Sequence, residues 1–242
     1  MRLTVSAIVF SLAAFVAALV WFMPMSAALR LSGLSGQGVS WSQALGRAVD
    51  GDIVGAAWQG WRIGQVSVRA DLLRGLQAGP PLVADWSGPS SDGFARIGLG
   101  PGGAAFSGLE ARLRLPARRI AGFGLEVPAS SLRLQDGRFI LANGACQSGE
   151  AAAASDAARK LGQAAGLGWP ALTGTLRCEA GAWSLHLTGT SEAGAVFTLD
   201  AARRGPTRIR IEKLDPATAQ ALAFAGLETA SGQVSIEIPY TE

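Results

Sequence analysis

The chain has 242 residues, of which 49% are hydrophobic and 16% charged, and its formal net charge is +3. That length is enough for one sizeable core or two small ones. The charge is nearly balanced, and the basic residues form no stripe of the kind that binds nucleic acid. The densest basic group lies among acidic residues, as on a solvated sheet face, and comprises Arg203, Arg204, Arg208 and Arg210.

The first feature along the chain is an uncharged run between Arg2 and Arg30, 27 residues long. A helix needs about 20 apolar residues to cross a hydrocarbon core about 30 Å thick. Trp21 and Phe22 close the apolar part, where an interfacial aromatic belt would lie. The run therefore predicts a single transmembrane helix. Residues 1–29 would form a cytoplasmic tip and the anchor, and residues 30–242 a periplasmic β-rich domain.

The competing interpretation of this run is a cleavable signal peptide, because small residues follow Met25. Apolar regions of signal peptides usually span about 7–15 residues, and this one is longer. A retained anchor is therefore favoured. Arg2 and the terminal amine place the amino terminus in the cytoplasm, although the bias is weak because Arg30 follows the span closely.

The rest of the chain alternates apolar and polar residues with a period of two, which predicts antiparallel strands with one buried face. The clearest alternations are 109–115, 208–212 and 233–238. Two hairpins are expected, one reversing at Asp136-Gly137 in a two-residue turn and one joining Leu172–Cys178 to Trp183–Leu187. Gly and Pro crowd residues 79–103, where we expect loops between short strands and a joint between two halves.

Two segments predict short helices. The alanine-rich stretch from Glu150 to Gly166 has high helix propensity and a glycine stop. The second segment begins with Asp215 at the N-cap and Pro216 at the first helical position, and it ends near Gly226. The predicted fold is thus mainly β, an antiparallel sheet domain with one or two short α-helices behind a transmembrane helix.

The two cysteines, Cys146 and Cys178, both lie in the part predicted to be exported. An even pair in an oxidising compartment indicates a disulfide. The register of the second hairpin points Cys178 to the same side as Leu172 and Leu176, as expected of a buried half-cystine. The alternative is two unrelated free thiols. With one histidine in the chain, a closed four-ligand zinc site is not expected.

The sequence offers little for catalysis. His186, the single histidine, alternates with Leu185 and Leu187 and is expected to face outward, away from any buried nucleophile. Gly98 to Gly103 matches a dinucleotide-binding glycine pattern, but a strand follows it where a helix would be required. We therefore expect a protein that is not an enzyme, with no cofactor, metal or small-molecule ligand.

A tryptophan-bearing segment after the uncharged run carries a resemblance to a known family. It contains Gly51-x-Ile-x-Gly-x-x-Trp58-x-Gly60, then Gly64-x-Val-x-Val68 and a leucine pair at 72–73. This pattern predicts a strand, a turn at Trp58-x-Gly60 and a second strand. Together with Leu172–Gly181 and the final helix and strand, it is similar to protein N of the bacterial type II secretion system (general secretion pathway protein N). The match covers about half the chain in separate pieces.

The resemblance implies a single-pass inner-membrane protein with a periplasmic domain, which assists export of folded proteins across the outer membrane. Its partners would be other secretion components, the inner-membrane platform and the secretin. The family offers no catalytic residues to carry over, so Trp58, Gly60, Gly64 and the cysteine pair transfer only in structural roles. The alternative function is that of an AsmA-like protein, in which an apolar sheet face shields lipid acyl chains.

Overall fold

The structure is a computed structural model, and it describes residues 21–31, 38–58, 60–71, 81–100, 103–119, 126–142, 145–179, 181–202, 205–224, 226–227, 229 and 232–238. The chain divides into two compact units, unit 1 with residues 1–98 and unit 2 with residues 99–242. Both are built of antiparallel strands, and the described helices are short. The predicted mainly β, antiparallel class is confirmed.

The described part of unit 1 is a meander of strands preceded by the short helix α1. Strand β3 pairs with β1, β2 and β4, and β4, β5 and β6 follow in chain order. These strands pair antiparallel throughout. The elements are α1 (Met25–Leu31), β1 (Val39–Ser40), β2 (Gln43–Arg47), β3 (Asp50–Trp58), β4 (Trp61–Ala70), β5 (Leu82–Ser87) and β6 (Ser91–Gly100), of which the last two residues are counted with unit 2.

Unit 2 contains the larger sheet. Its strands run in the order β7, β10, β11, β12, β13, β14, β15, β16, all antiparallel, and β8 pairs with β9 separately. The strands are β7 (Gly103–Leu115), β8 (Arg118–Arg119), β9 (Glu126–Val127), β10 (Ser130–Ala142), β11 (Ala145–Ser155), β12 (Leu172–Glu179), β13 (Ala182–Thr190), β14 (Val196–Ala202), β15 (Thr207–Glu212) and β16 (Gln233–Ile238). The helices are α2 (Ala157–Ala164) and α3 (Pro216–Phe224).

Several predicted elements are present. The alternations at 109–115, 208–212 and 233–238 lie in β7, β15 and β16. The second predicted hairpin is β12 and β13, with Leu176 opposite Leu185. The predicted capped helix is α3, because the Asp215 carboxylate accepts a hydrogen bond from the Thr218 N–H at 3.0 Å.

The predicted hairpin at Asp136-Gly137 is wrong. The chain does not reverse there, because β10 continues straight through from Ser130 to Ala142. Asp136 does adopt a left-handed conformation, with φ of 52°. The register slips between Gln135 and Arg138 against β11, so the pair forms a bulge within a strand rather than a turn.

The predicted helix from Glu150 to Gly166 is wrong in its first part. Residues up to Ser155 belong to β11, and helix α2 begins at Ala157. Ala151 and Ala153 are buried on the inward side of the strand, while Ala152 is exposed. Pairing with both β10 and β12 outweighs the small helix preference of alanine.

The core of unit 2 lies on the inward face of its sheet. One cross-strand row of that face runs through Leu134, Ala153, Gly174, Leu187 and Leu199. Trp169 packs against Phe197 with ring centroids 5.1 Å apart, and its indole N–H donates to the Thr218 hydroxyl at 3.3 Å. The same buried cluster includes Leu222 of α3, and Ala158 and Leu161 of α2 pack against it. The helices thus cover this face.

Two aspartates lie directly before these helices. Asp156 accepts the Ser131 N–H at 2.6 Å, and Lys160 lies 3.4 Å from its carboxylate. Partial burial alone would raise the pKa of Asp156, but the Ser131 hydrogen bond and the Lys160 charge hold it below its usual value. The Thr218 N–H similarly lowers the pKa of Asp215.

These lowered pKa values predict that acid destabilises unit 2. Each carboxylate contributes stability above its unfolded pKa, and this contribution is lost as pH falls from about 4 through the folded value. Asp215→Asn should remove part of this pH dependence and keep a capping side chain. Asp215→Ala should lower the free energy of unfolding by about 1 kcal/mol at neutral pH. Hydrogen exchange of unit 2 at several pH values checks this. Equal acid sensitivity of Asp215→Asn and the wild type would contradict it.

Candidate functional site

The predicted cysteine pair is bonded in the structure. Cys146 near the start of β11 and Cys178 near the end of β12 form a disulfide with an S–S distance of 1.99 Å and a Cα–Cα distance of 6.2 Å. Cys178 is buried, as the strand register predicts, and Gly181 N–H donates to the Cys146 carbonyl at 2.7 Å. The bond therefore ties the beginning of β11 to the tip of the β12–β13 hairpin.

The expected labelling result is that neither cysteine reacts with a thiol reagent in the denatured, unreduced protein. Reduction before alkylation should make both reactive, which provides the control. Intact mass measurement after alkylation of protein taken from the cell envelope reads the result directly. Two added labels without reduction would contradict the bond.

The predicted structural residues of unit 1 lie around the β3–β4 hairpin. Gly60 is in its turn with φ of 82°, and an added Cβ there would meet nothing within 4 Å. Gly64 has φ of 102°, and its Cβ would lie 2.5 Å from the Gly88 Cα and closer still to the Ser87 carbonyl oxygen. Trp58 pairs with Trp61 through the backbone. Its side chain lies outside the described part, as do Leu72 and Leu73.

The outer face of unit 2 carries a polar row that the sequence did not reveal. His186, Asp200, Arg208 and Glu237 are successive register partners across β13, β14, β15 and β16. The His186 Nδ1 lies 2.6 Å from an Asp200 carboxylate oxygen, and Arg208 Nε lies 2.8 Å from a Glu237 oxygen. Four titratable side chains thus form a cross-strand ladder in which Asp200, Arg208 and Glu237 alternate in charge.

The side chains of this polar row are too exposed to interact strongly with one another. The His186 and Asp200 side chains are 56% and 50% exposed, and the Arg208 and Glu237 side chains are both 57% exposed. Water and salt therefore screen these pairs, which contribute about 0–1 kcal/mol each. His186 faces outward, as predicted. Thr175 is its register partner on the other side, and β12 and β13 offer no buried nucleophile beside the ring.

Strand β16 forms one edge of the unit 2 sheet. Among the described strands it pairs with β15 alone. Val234 and Ile236 are buried, and the alternate side chains are exposed. An unpaired strand edge presents backbone N–H and C=O groups to which another strand can add. The exposed side chains along this edge are Gln233, Ser235 and Glu237.

The described residues hold neither a candidate metal site nor a membrane-spanning helix. They contain no group of three His, Cys, Asp or Glu side chains that could hold a metal ion. Within the same ranges, no helix is long and apolar enough to cross a membrane. The predicted anchor falls mainly on residues 1–20, which lie outside the described part of the chain.

Comparison with known families matches this two-unit β chain over most of its length. A family model described as type II secretion system (T2SS), protein N, matches residues 37–237. The chain belongs to this family. No curated protein and no solved structure matches the chain.

Membership confirms the suspected resemblance and makes the chain a component of a protein secretion system. The matched range begins just before β1 and ends in β16, so it covers the strands of both units. It also includes Gly60, Gly64 and both bonded cysteines. The polar row and the β16 edge described above therefore belong to the protein N domain itself.

Proposed function

We propose that this protein N family member is a non-catalytic inner-membrane component of the type II secretion apparatus. Residues 1–29 would form a cytoplasmic tip and a single-pass anchor, and residues 30–242 a periplasmic domain. The observation that carries the proposal is the family match over residues 37–237. The long uncharged run before it supports the anchor.

The domain acts by binding partners within the apparatus, namely the inner-membrane platform and the secretin. The edge strand β16 provides the binding element, because a partner strand can pair with its open side. Its exposed polar side chains disfavour unspecific edge-to-edge pairing in the absence of the partner. The neighbouring ladder of Arg208 and Glu237 supplies charged groups beside this edge.

The second candidate, an AsmA-like lipid-shielding protein, has less support. That function needs an apolar sheet face that stays open along its length. In unit 2 the inward face packs under Trp169, Leu222 and Leu227, all of which are buried with it. No observation in the described residues favours a lipid groove.

A complementation experiment tests the non-catalytic role. A strain lacking the gene should lose export of its type II substrates, and the wild-type gene should restore it. His186→Ala should restore export equally, because the exposed His186–Asp200 pair contributes little to stability. Loss of export in His186→Ala, with normal protein levels, would overturn the non-catalytic proposal.

A matched crosslinking pair tests the binding edge. A photo-reactive residue at Ser235 of β16 should form an adduct with a secretion component in cells that carry the whole apparatus. The control is Ser184, which is also exposed but lies on β13 inside the sheet. Adducts at Ser184 and none at Ser235 would place the partner on the sheet face and contradict the proposal that it binds at the β16 edge.

A further inference from the structure

Three of the large apolar side chains that unit 1 exposes lie near the end of the proposed anchor. Phe22 is 68% exposed, Leu31 is 76% exposed and Leu45 is 54% exposed. Phe22 closes the apolar part of the uncharged run, and Leu31 ends α1. Leu45 is far along the sequence, in β2, so its place beside them needs a structural explanation.

Backbone and core contacts hold α1 against the β2–β3 hairpin. Pro24 forms an isolated antiparallel bridge with Arg47, and Ala48 N–H donates to the Met23 carbonyl at 2.8 Å. Met25 and Leu29 are both buried, and the Met25 methyl group lies against Gly51 of β3. The start of α1 and the hairpin are therefore one packed body, which fixes Leu45 relative to the end of the anchor.

The distances allow Leu45 to reach a bilayer surface. Bridged residues lie about 4.5–5.5 Å apart between Cα atoms. Leu45 is two strand residues from Arg47, a further rise of about 7 Å. Leu45 is thus within about 12 Å of Pro24. Apolar side chains at a bilayer surface are buried about 5–10 Å into the boundary of headgroups and acyl chains. The distance between Pro24 and Leu45 is similar to this depth, so Leu45 can reach the boundary.

Two arginines beside these side chains can contact phospholipid headgroups. Arg30 and Arg47 are exposed next to Leu31 and Leu45. Arginines near a membrane surface are attracted to anionic lipids and extend their charged ends to the headgroups. Asp50 and Asp52 are the register partners of Arg47 and Leu45 and weaken this attraction, so the apolar contact provides the larger part of the membrane binding.

From these observations we infer that the β2–β3 hairpin lies on the membrane surface, with Leu45 in the interfacial layer of an anionic phospholipid bilayer. This inference rests on the proposed anchor. It goes beyond that anchor because it assigns a second, non-helical membrane contact that sets how unit 1 stands on the bilayer. Insertion of the Leu45 side chain into the interfacial layer removes its apolar surface from water, which is favourable.

Depth-dependent fluorescence quenching tests the contact in the full chain. Both native cysteines are bonded, so a single introduced cysteine can carry an environment-sensitive dye. The protein is reconstituted into vesicles of phosphatidylethanolamine and phosphatidylglycerol that contain lipids spin-labelled near the headgroup. The variants are Phe22→Cys at the end of the apolar part of the anchor, Leu45→Cys on the hairpin and Arg62→Cys, an exposed control at the opposite end of β3 and β4.

The expected result is quenching and a blue shift at position 45 comparable to those at position 22, and several-fold weaker quenching at position 62. Quenching at position 22 without quenching at position 45 would overturn the inference and leave the anchor intact. Unquenched dye at position 22 would show that the anchor proposal itself fails, and the surface contact with it. Equal quenching at positions 45 and 62 would also overturn it, because the contact would not be specific to the hairpin.

Discussion

Gly64→Ala should unfold the β4–β5 region of unit 1, with a loss of more than about 3 kcal/mol. Two costs add at this position. A φ of 102° is a conformation that residues with a Cβ rarely adopt. The new methyl group would also stand against the Ser87 carbonyl and the Gly88 Cα. Both obstacles are backbone atoms, which cannot rotate away, so the strands must separate.

Gly60→Ala provides the matched control for this prediction. Gly60 also has a positive φ, but an added Cβ would meet nothing within 4 Å. It should therefore cost only about 1–2 kcal/mol, the conformational part. Hydrogen exchange of peptides from residues 60–71 and 81–98 measures both variants, with unit 2 peptides as the internal reference. Equal protection in the two variants would contradict the steric argument.

The two glycines also illustrate what the sequence can predict in unit 1. The Trp58-x-Gly60 pattern predicts a turn between strands, and the structure places the β3–β4 hairpin there. The close approach at Gly64 could not be predicted. It depends on Ser87 and Gly88, more than 20 residues away along the chain, and local sequence does not report which backbone comes near.

The error at Asp136-Gly137 has the same physical origin. The dipeptide tolerates positive φ, and sequence alone suggests a reversal. In the structure β10 lies between β7 and β11, and both neighbours extend past the dipeptide. Because β10 pairs with a strand on each side, the two residues form a bulge within the strand and not a turn. A tolerance for positive φ predicts a backbone irregularity, whereas the partner strands decide its kind.

The candidate surface was predictable in part. Alternation along β13 places His186 outward and Leu187 inward, and the structure agrees. The neighbours of His186 could not be predicted, because Asp200 and Arg208 reach it only through the pairing of separate strands. The edge position of β16 is likewise a property of sheet order, and no residue in its sequence encodes it.

Leu187→Ala should have the largest effect in unit 2, about 3–5 kcal/mol. Leu187 is the largest fully buried side chain of the described residues, only 1% exposed. Its register partners on the two neighbouring strands are Gly174 and Leu199. Gly174 has no side chain to fill a cavity, so the space vacated by the leucine would stay largely empty.

Leu185→Ala is the control, because it makes the same change two residues earlier on the same strand and face. Leu185 is only partly buried, so its loss should cost about half as much. Hydrogen exchange of peptides from β12 to β14 measures the local stability, with unit 1 peptides as reference. A loss near 4 kcal/mol is a large fraction of the stability of an ordinary domain, so Leu187→Ala should also lower protein levels and export together. Equal losses for the two variants would mean that the inward face is not sealed around Leu187, and the argument against a lipid-shielding function would fail with it.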